Sequence, residues 1–109
     1  MIYFDYSATT PVDRRVSELM TEINEDVFGN PSSVHLFGQK ARGYVERARQ
    51  QIWTAVGCDP TEIIFTGSGS EANNLILHTL LYGEKRHVVL SAIEHPSIYN
   101  AVKEMAPLG

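Results

Sequence analysis

A glycine- and serine-rich loop, placed between an apolar run and a helical pattern, constrains the fold of this chain more than any other segment. The run Ile63–Phe65 favours a strand, and it leads into Thr66–Glu71, which reads Thr-Gly-Ser-Gly-Ser-Glu. Where a strand turns through such a loop into a helix, backbone N–H groups stay free and the helix dipole adds partial positive charge. The sequence therefore predicts an anion-binding loop, with a phosphate group as its natural ligand.

The spacing of apolar residues predicts an α/β fold around this loop. Strand, helix, strand and helix follow one another from residue 61, which is the order of a right-handed β-α-β unit in a parallel sheet. Two strands are too few for a stable parallel sheet, so we expect the opening portion of a larger α/β domain. The predicted strands are Glu62–Thr66 and His87–Ser91, and the predicted helices that accompany them are Glu71–Tyr82 and Pro96–Met105.

Two further helices are predicted before the loop. The first is capped by Thr10, has Pro11 at its first position and runs to Val27. The second extends from about His35 to Val56, with Gly57 as its C-terminal cap. Residues 2–7 are predicted as a short extended segment and residues 107–109 as a loop.

A histidine follows the second predicted strand, at the same sheet edge as the loop. Ligands of open parallel sheets bind beyond the carboxyl ends of the strands, so His95 and the Gly67–Ser70 loop should open into one crevice. The loop also fits the dinucleotide fingerprint as Gly67-x-Gly69-x-x-Ala72, with Glu94 about the right distance downstream for a ribose contact. An NAD- or FAD-binding module therefore stays open as an alternative, and so does a loop that only joins a strand to a helix.

Composition argues against several classes of protein. The net charge is −4 and the basic residues are scattered, which argues against a surface for nucleic acid or anionic membranes. No apolar run has the length of a membrane helix and the N-terminus does not resemble a signal peptide, so we expect a cytoplasmic protein. Cys58 is the one cysteine, which excludes an internal disulfide, and no metal-ligand spacing occurs.

Four motifs in register resemble those of a known family. They are Asp5–Pro11, Phe28–His35, Phe65–Asn74 and Glu94-His95. Together they resemble the N-terminal region of cysteine desulfurases of the nitrogen-fixation and iron–sulfur-cluster type, within the class V aminotransferases of fold type I. The resemblance covers essentially all 109 residues. One departure lies in the loop, where Gly69 and Ser70 stand in place of the family's usual Ala and Thr; backbone donation and the hydroxyl are both kept.

The resemblance implies a fold, a cofactor and a set of site residues. The fold would be a three-layer α/β/α large domain with a parallel or mixed sheet, begun by residues 13–109, while residues 1–12 would belong to a small domain. The cofactor would be pyridoxal 5'-phosphate, its phosphate held at Gly69 and Ser70 and its ring stacked under His95, which would also move protons. The substrate entrance would be lined by Ala8, Thr9 and Asn30.

The resemblance also implies an activity and partners. The reaction would convert L-cysteine to L-alanine and leave persulfide sulfur for iron–sulfur cluster assembly, in a homodimer that serves a sulfur acceptor or scaffold protein. The family's cofactor-binding lysine, its aspartate on the pyridine nitrogen and its sulfur-carrying cysteine would lie beyond residue 109, and Cys58 does not match that cysteine. We therefore expect the 109 residues alone to be inactive, and a non-catalytic assembly fragment is a further alternative.

Overall fold

The computed structural model describes residues 2–84 and 87–108, which form two compact units, Met1–Ile63 and Ile64–Gly109. Within the described residues there are four α-helices and two short 3-10 helices. The α-helices are α1 (Arg14–Asp26), α2 (Leu36–Val56), α3 (Gly69–Leu80) and α4 (Pro96–Met105), and the 3-10 helices are Pro60–Glu62 and Ala106–Leu108.

The predicted strands are not present as strands in the described part of the chain. Glu62 instead closes a 3-10 helix, because Asp59 and Glu62 form a reciprocal capping box in which Glu62 Oε2 accepts from Asp59 N at 2.7 Å. Residues 63–66 and 87–91 form no strand in the part of the chain that the structure describes, and a strand is stable only where a neighbouring strand completes its backbone hydrogen bonds. The predicted parallel sheet is therefore not confirmed.

The first helix begins later than predicted, at Arg14 instead of Pro11. Its N-cap is Asp13, whose side chain accepts from Arg15 N at 2.9 Å, because an aspartate is a stronger N-cap than a threonine such as Thr10. The predicted extended segment contains a turn over residues 6–8, closed by a hydrogen bond from Ala8 N to Asp5 O at 3.1 Å.

The turn between α1 and α2 packs against the first turns of α2. The rings of Phe28 and Phe37 lie 5.3 Å apart, and the backbone of Gly38 is in close contact with the turn. A Cβ atom on Gly38 would lie 2.4 Å from Ser33 O and 2.7 Å from Asn30 O, so no larger residue fits there without movement. The C-terminal end of α2 is as predicted, with Gly57 in the left-handed region at φ +74°.

The second unit is built from α3 and α4, which pack against each other. Leu77 of α3 and Ala101 of α4 are buried, and an apolar cavity of about 260 Å³ continues between the helices toward Val88. Helix α4 has the predicted bounds, whereas α3 begins two residues earlier than predicted because Ser68 caps it, and also ends two residues earlier, at Leu80. Ala106–Leu108 is a 3-10 helix where a loop was predicted, and Gly109 lies outside the described residues.

Candidate functional site

The conformation of the glycine-serine loop is set by hydrogen bonds within six residues. Ser68 is the N-cap of α3, and its Oγ accepts from Glu71 N at 3.1 Å. The Glu71 carboxylate folds back, and its Oε2 accepts from Gly67 N at 2.6 Å. Thr66 Oγ1 donates to Ser68 O at 3.1 Å. The side chains that flank the glycines thus hold the loop in one conformation.

Two backbone donors of this loop keep their hydrogens unpaired. Among the described residues, the N–H groups of Gly69 and Ser70 have no acceptor, as expected for the first residues of a helix. The Ser70 hydroxyl is exposed and likewise without a partner in the described part of the chain. These three donors lie at the positive end of the 12-residue helix α3, which is the arrangement that binds phosphate oxygens.

His95 is the N-cap of α4 and is held through one ring nitrogen. Its Nδ1 accepts from Ser97 N at 3.1 Å and lies 2.8 Å from Ser97 Oγ. The Ser97 hydroxyl also accepts from Asn73 Nδ2 of α3 at 3.0 Å. The imidazole is therefore fixed by α4 and, through Ser97, by α3.

One cleft brings the phosphate-loop serine and the histidine together. It has a volume of about 340 Å³ and is open to solvent, and Ser70 and His95 both line it. The remaining lining residues come from the same two helices: Asn74, Pro96, Ser97, Asn100, Ala101 and Glu104. A ligand that placed an anionic group at Ser70 could thus contact the imidazole as well.

The three predicted substrate-entrance residues belong to the other unit. Ala8 and Thr9 are exposed, and both of their N–H groups donate to Asp5 O at the turn over residues 6–8. Asn30 is exposed too, and its Oδ1 accepts from Ser32 N at 2.9 Å. Their backbone positions are set locally, and their assignment to a substrate entrance stays a prediction.

Sequence reasoning missed three residues of this site. Glu71 was identifiable, because Ser68-x-x-Glu71 is a capping-box signature. Asn73 and Ser97 carried no such signal, because they are 24 residues apart in the sequence and their contact joins two different helices. No group of side chains in the described part of the chain could hold a metal ion, and none of the helices described is both long and apolar enough to cross a membrane.

Known proteins resemble this chain over nearly its whole length. A cysteine desulfurase of Trichormus azollae is 39% identical over 111 residues, which cover 100% of this chain and 28% of the relative. Cysteine desulfurase IscS of Stutzerimonas stutzeri (strain A1501) is 44% identical over 110 residues, covering 95% of this chain and 27% of the relative. The chain thus spans about 28% of the length of the curated relatives it matches.

A solved structure and a family model agree with these relatives. The structure of SspA in complex with cysteine superimposes with a TM-score of 0.89 at 39% identity, covering 98% of this chain and 32% of that one. The family model described as aminotransferase class-V matches residues 2–109. The resemblance to cysteine desulfurases predicted from the motifs is confirmed, and the chain belongs to the class-V aminotransferase family.

Proposed function

We propose that this chain supplies the phosphate loop and the ring-stacking histidine of a pyridoxal-phosphate-dependent cysteine desulfurase. The observation that carries the proposal is the cleft that holds Ser70 and His95 together at the N-terminal ends of two helices. The relatives named cysteine desulfurase and the cysteine complex of SspA support L-cysteine as the substrate. The products would be L-alanine and a persulfide for a sulfur acceptor or scaffold protein.

The loop fits the cofactor's phosphate by its donor set. Two unpaired amides, at Gly69 and Ser70, and the free Ser70 hydroxyl can each donate to a phosphate oxygen. The Gly67 amide is occupied by the Glu71 carboxylate and would not contribute. Gly69 lies where a Cβ atom would meet no other atom within 4 Å, so the loop leaves room for an anion to approach its backbone.

The histidine fits the cofactor's ring by its exposure and its fixed orientation. His95 is exposed in the cleft, while Nδ1 is engaged by Ser97, so one face of the imidazole can pack on an aromatic ring without losing the hydrogen bond. When bound, pyridoxal phosphate supplies an electron sink for chemistry at the carbon that bears the amino group. This chain's own part is to hold the phosphate, to stack on the ring and to exchange a proton at His95 Nε2.

The proposal extends to the finer features of the fold. Residues 64–66 and 87–91 would be strands of the parallel or mixed sheet of a three-layer α/β/α domain, where neighbouring segments of a longer protein would supply the ladder. Residues 1–12 would belong to a small domain and residues 13–109 to the cofactor-binding large domain of a homodimer. Ala8, Thr9 and Asn30 would line the substrate entrance. The length of the relatives, more than three times that of this chain, supports a larger domain in which further segments complete the sheet.

Cofactor titration of the natural full-length protein tests the proposed phosphate loop. We expect Ser70→Ala to raise the dissociation constant for pyridoxal phosphate about tenfold or more, because a hydrogen bond to a charged group contributes about 1.5–3 kcal/mol. Ser17→Ala on exposed α1 is the matched control and should leave it unchanged. Cofactor absorbance measures the binding. Equal affinities for the two variants would contradict the assignment, and binding of NAD or FAD at this loop would favour the dinucleotide alternative.

An activity assay tests the proposed reaction separately. The full-length protein loaded with pyridoxal phosphate should convert L-cysteine to alanine and release sulfide in the presence of a thiol, with equal amounts of the two products. If the protein binds the cofactor but does not turn over L-cysteine, the assignment of the phosphate loop would stand and the assignment of L-cysteine as substrate would be refuted. Absence of both would favour a non-catalytic assembly role.

A further inference from the structure

We propose that Asn73 and Ser97 are positioning residues that fix the imidazole of His95 as its Nε2–H tautomer. The inference deepens the role of His95 in the proposed function and rests on it for its catalytic meaning. Its structural basis is a chain of hydrogen bonds that runs from α3 through Ser97 to the histidine ring.

The direction of each hydrogen bond follows from the donors available. Asn73 Nδ2 can only donate, so the Ser97 oxygen at 3.0 Å accepts from it. The Ser97 hydroxyl has one hydrogen of its own, and its second neighbour is His95 Nδ1 at 2.8 Å. The Ser97 oxygen has a second lone pair, so the direction of this contact depends on whether Nδ1 carries a hydrogen.

A second donor reaches the same ring nitrogen. The backbone N–H of Ser97 points to His95 Nδ1 at 3.1 Å and cannot accept. Because this N–H can only donate, Nδ1 carries a lone pair, the hydrogen of the neutral ring lies on Nε2, and the Ser97 hydroxyl donates to Nδ1 as a second donor. Asn73 donates to the Ser97 oxygen and so favours the orientation in which the hydroxyl hydrogen points to Nδ1.

As a consequence, the Nδ1 atom of His95 makes structural hydrogen bonds and does not take part in chemistry. Nδ1 is engaged by α4, whereas Nε2 has no partner among the described residues and is the nitrogen left to meet a ligand in the cleft. The other polar groups that line the cleft are Ser70 and Asn74 on α3 and Asn100 and Glu104 on α4, and Glu104 is the one carboxylate among its lining residues. Proton exchange at His95 would therefore run through Nε2.

Nitrogen NMR of the natural full-length protein, labelled with 15N-histidine, measures the tautomer directly. Signals of His95 are assigned by their loss in His95→Gln, and spectra are taken at a pH at which imidazoles are neutral. We expect Nδ1 to show the shift of an unprotonated nitrogen and Nε2 that of a protonated one. The reverse pattern in the wild-type protein would overturn the proposal without any further variant.

Two variants test the chain of hydrogen bonds itself. Ser97→Ala removes the hydroxyl but keeps the backbone donor, and the ratio of Nε2–H to Nδ1–H should fall about fivefold, the equivalent of one ordinary hydrogen bond. Asn73→Asp reverses the polarity, because the new carboxylate would accept the Ser97 hydrogen and leave the oxygen free to accept from Nδ1–H. Here we expect a fall of about tenfold or more.

Asn24 on α1 offers a matched control. Asn24→Asp makes the same substitution at an exposed residue that does not line the cleft. It should leave the tautomer ratio of His95 near the wild-type value. Equal ratios in Asn73→Asp, Ser97→Ala and wild type would overturn the proposal. Failure of the protein to bind pyridoxal phosphate would refute the proposed function instead, and the tautomer reading would stand.

Discussion

Replacing Gly38 by alanine should destabilise the protein, although alanine is the better helix former. Gly38 is buried in the first turn of α2, and a Cβ atom there would lie 2.4 Å from Ser33 O and 2.7 Å from Asn30 O. These are backbone atoms, which cannot rotate away as the end of a side chain can. Ordinary contact begins at 3.4 Å, so the turn would have to move by about 1 Å.

The size of the effect follows from two opposing contributions. Overpacking of this kind costs about 1–3 kcal/mol, and a contact of 2.4 Å with backbone places Gly38→Ala at the upper end. The higher helix propensity of alanine offsets about 1 kcal/mol of this cost, so the free energy of unfolding of Gly38→Ala should be about 2 kcal/mol lower than that of the wild type. Gly43 lies on the same helix with no atom within 4 Å of its Cβ position, and Gly43→Ala should gain about 1 kcal/mol.

Thermal unfolding of the two full-length variants is the assay, with the apparent melting temperatures expected to shift in opposite directions. Gly38→Ala should also weaken the binding of L-cysteine if Asn30 lines the substrate entrance, because relief of the clash displaces the turn that holds Asn30. If Gly38→Ala melts at the same temperature as Gly43→Ala or above it, the close approach of the turn to α2 does not exist and the reasoning fails.

Two more predictions concern charges at helix N-termini. Glu71→Gln keeps an oxygen that can accept from Gly67 N but removes the negative charge beside the loop, so pyridoxal phosphate should bind a few-fold more tightly. Glu71→Ala loses that hydrogen bond as well and should bind the cofactor more weakly. Titration of the cofactor distinguishes the two variants, and equal affinities would be evidence against a role for Glu71 in the loop. The hydrogen bond from the Arg15 side chain holds the pKa of the Asp13 carboxyl below its ordinary value of 3.8. The contribution of Asp13 to α1 is therefore complete above pH 3.8 and lost as the pH falls through the lowered pKa, an effect that Asp13→Asn should abolish; the NMR shift of the Arg15 amide reports it, and a change near neutral pH would contradict it.

The helices were predictable from the sequence because their ends depend on adjacent residues. Pro96 and Gly57 mark boundaries that the structure keeps, since proline suits the first turn of a helix and glycine its left-handed end. The start of α1 was wrong by three residues because Asp13 caps the helix in place of Thr10, and the start of α3 by two residues because Ser68 caps it. There Asp13 and Ser68 formed the hydrogen bonds that decided the outcome.

The strands were not predictable to the same degree, because a strand needs a neighbouring strand to pair with, and the local sequence pattern does not show which segment that is. Ile64 and Val89 have the side chains of buried strands, yet 69% and 85% of their surface is exposed. Val16 and Leu19, two apolar residues three positions apart on α1, likewise have about half of their surface exposed. Periodicity thus identified which faces are apolar, but not which segments cover them.

The two halves of the candidate site differ in how far their geometry depends on distant residues. The phosphate loop is held by hydrogen bonds within Thr66–Glu71, and the motif that predicts it also contains the side chains that shape it. His95 depends in addition on Asn73, which lies on another helix. Because the two sets of contacts share no hydrogen bond, a change at Asn73 should alter the histidine and leave the loop donors in place, so that the affinity for phosphate and the protonation of the imidazole can be varied independently.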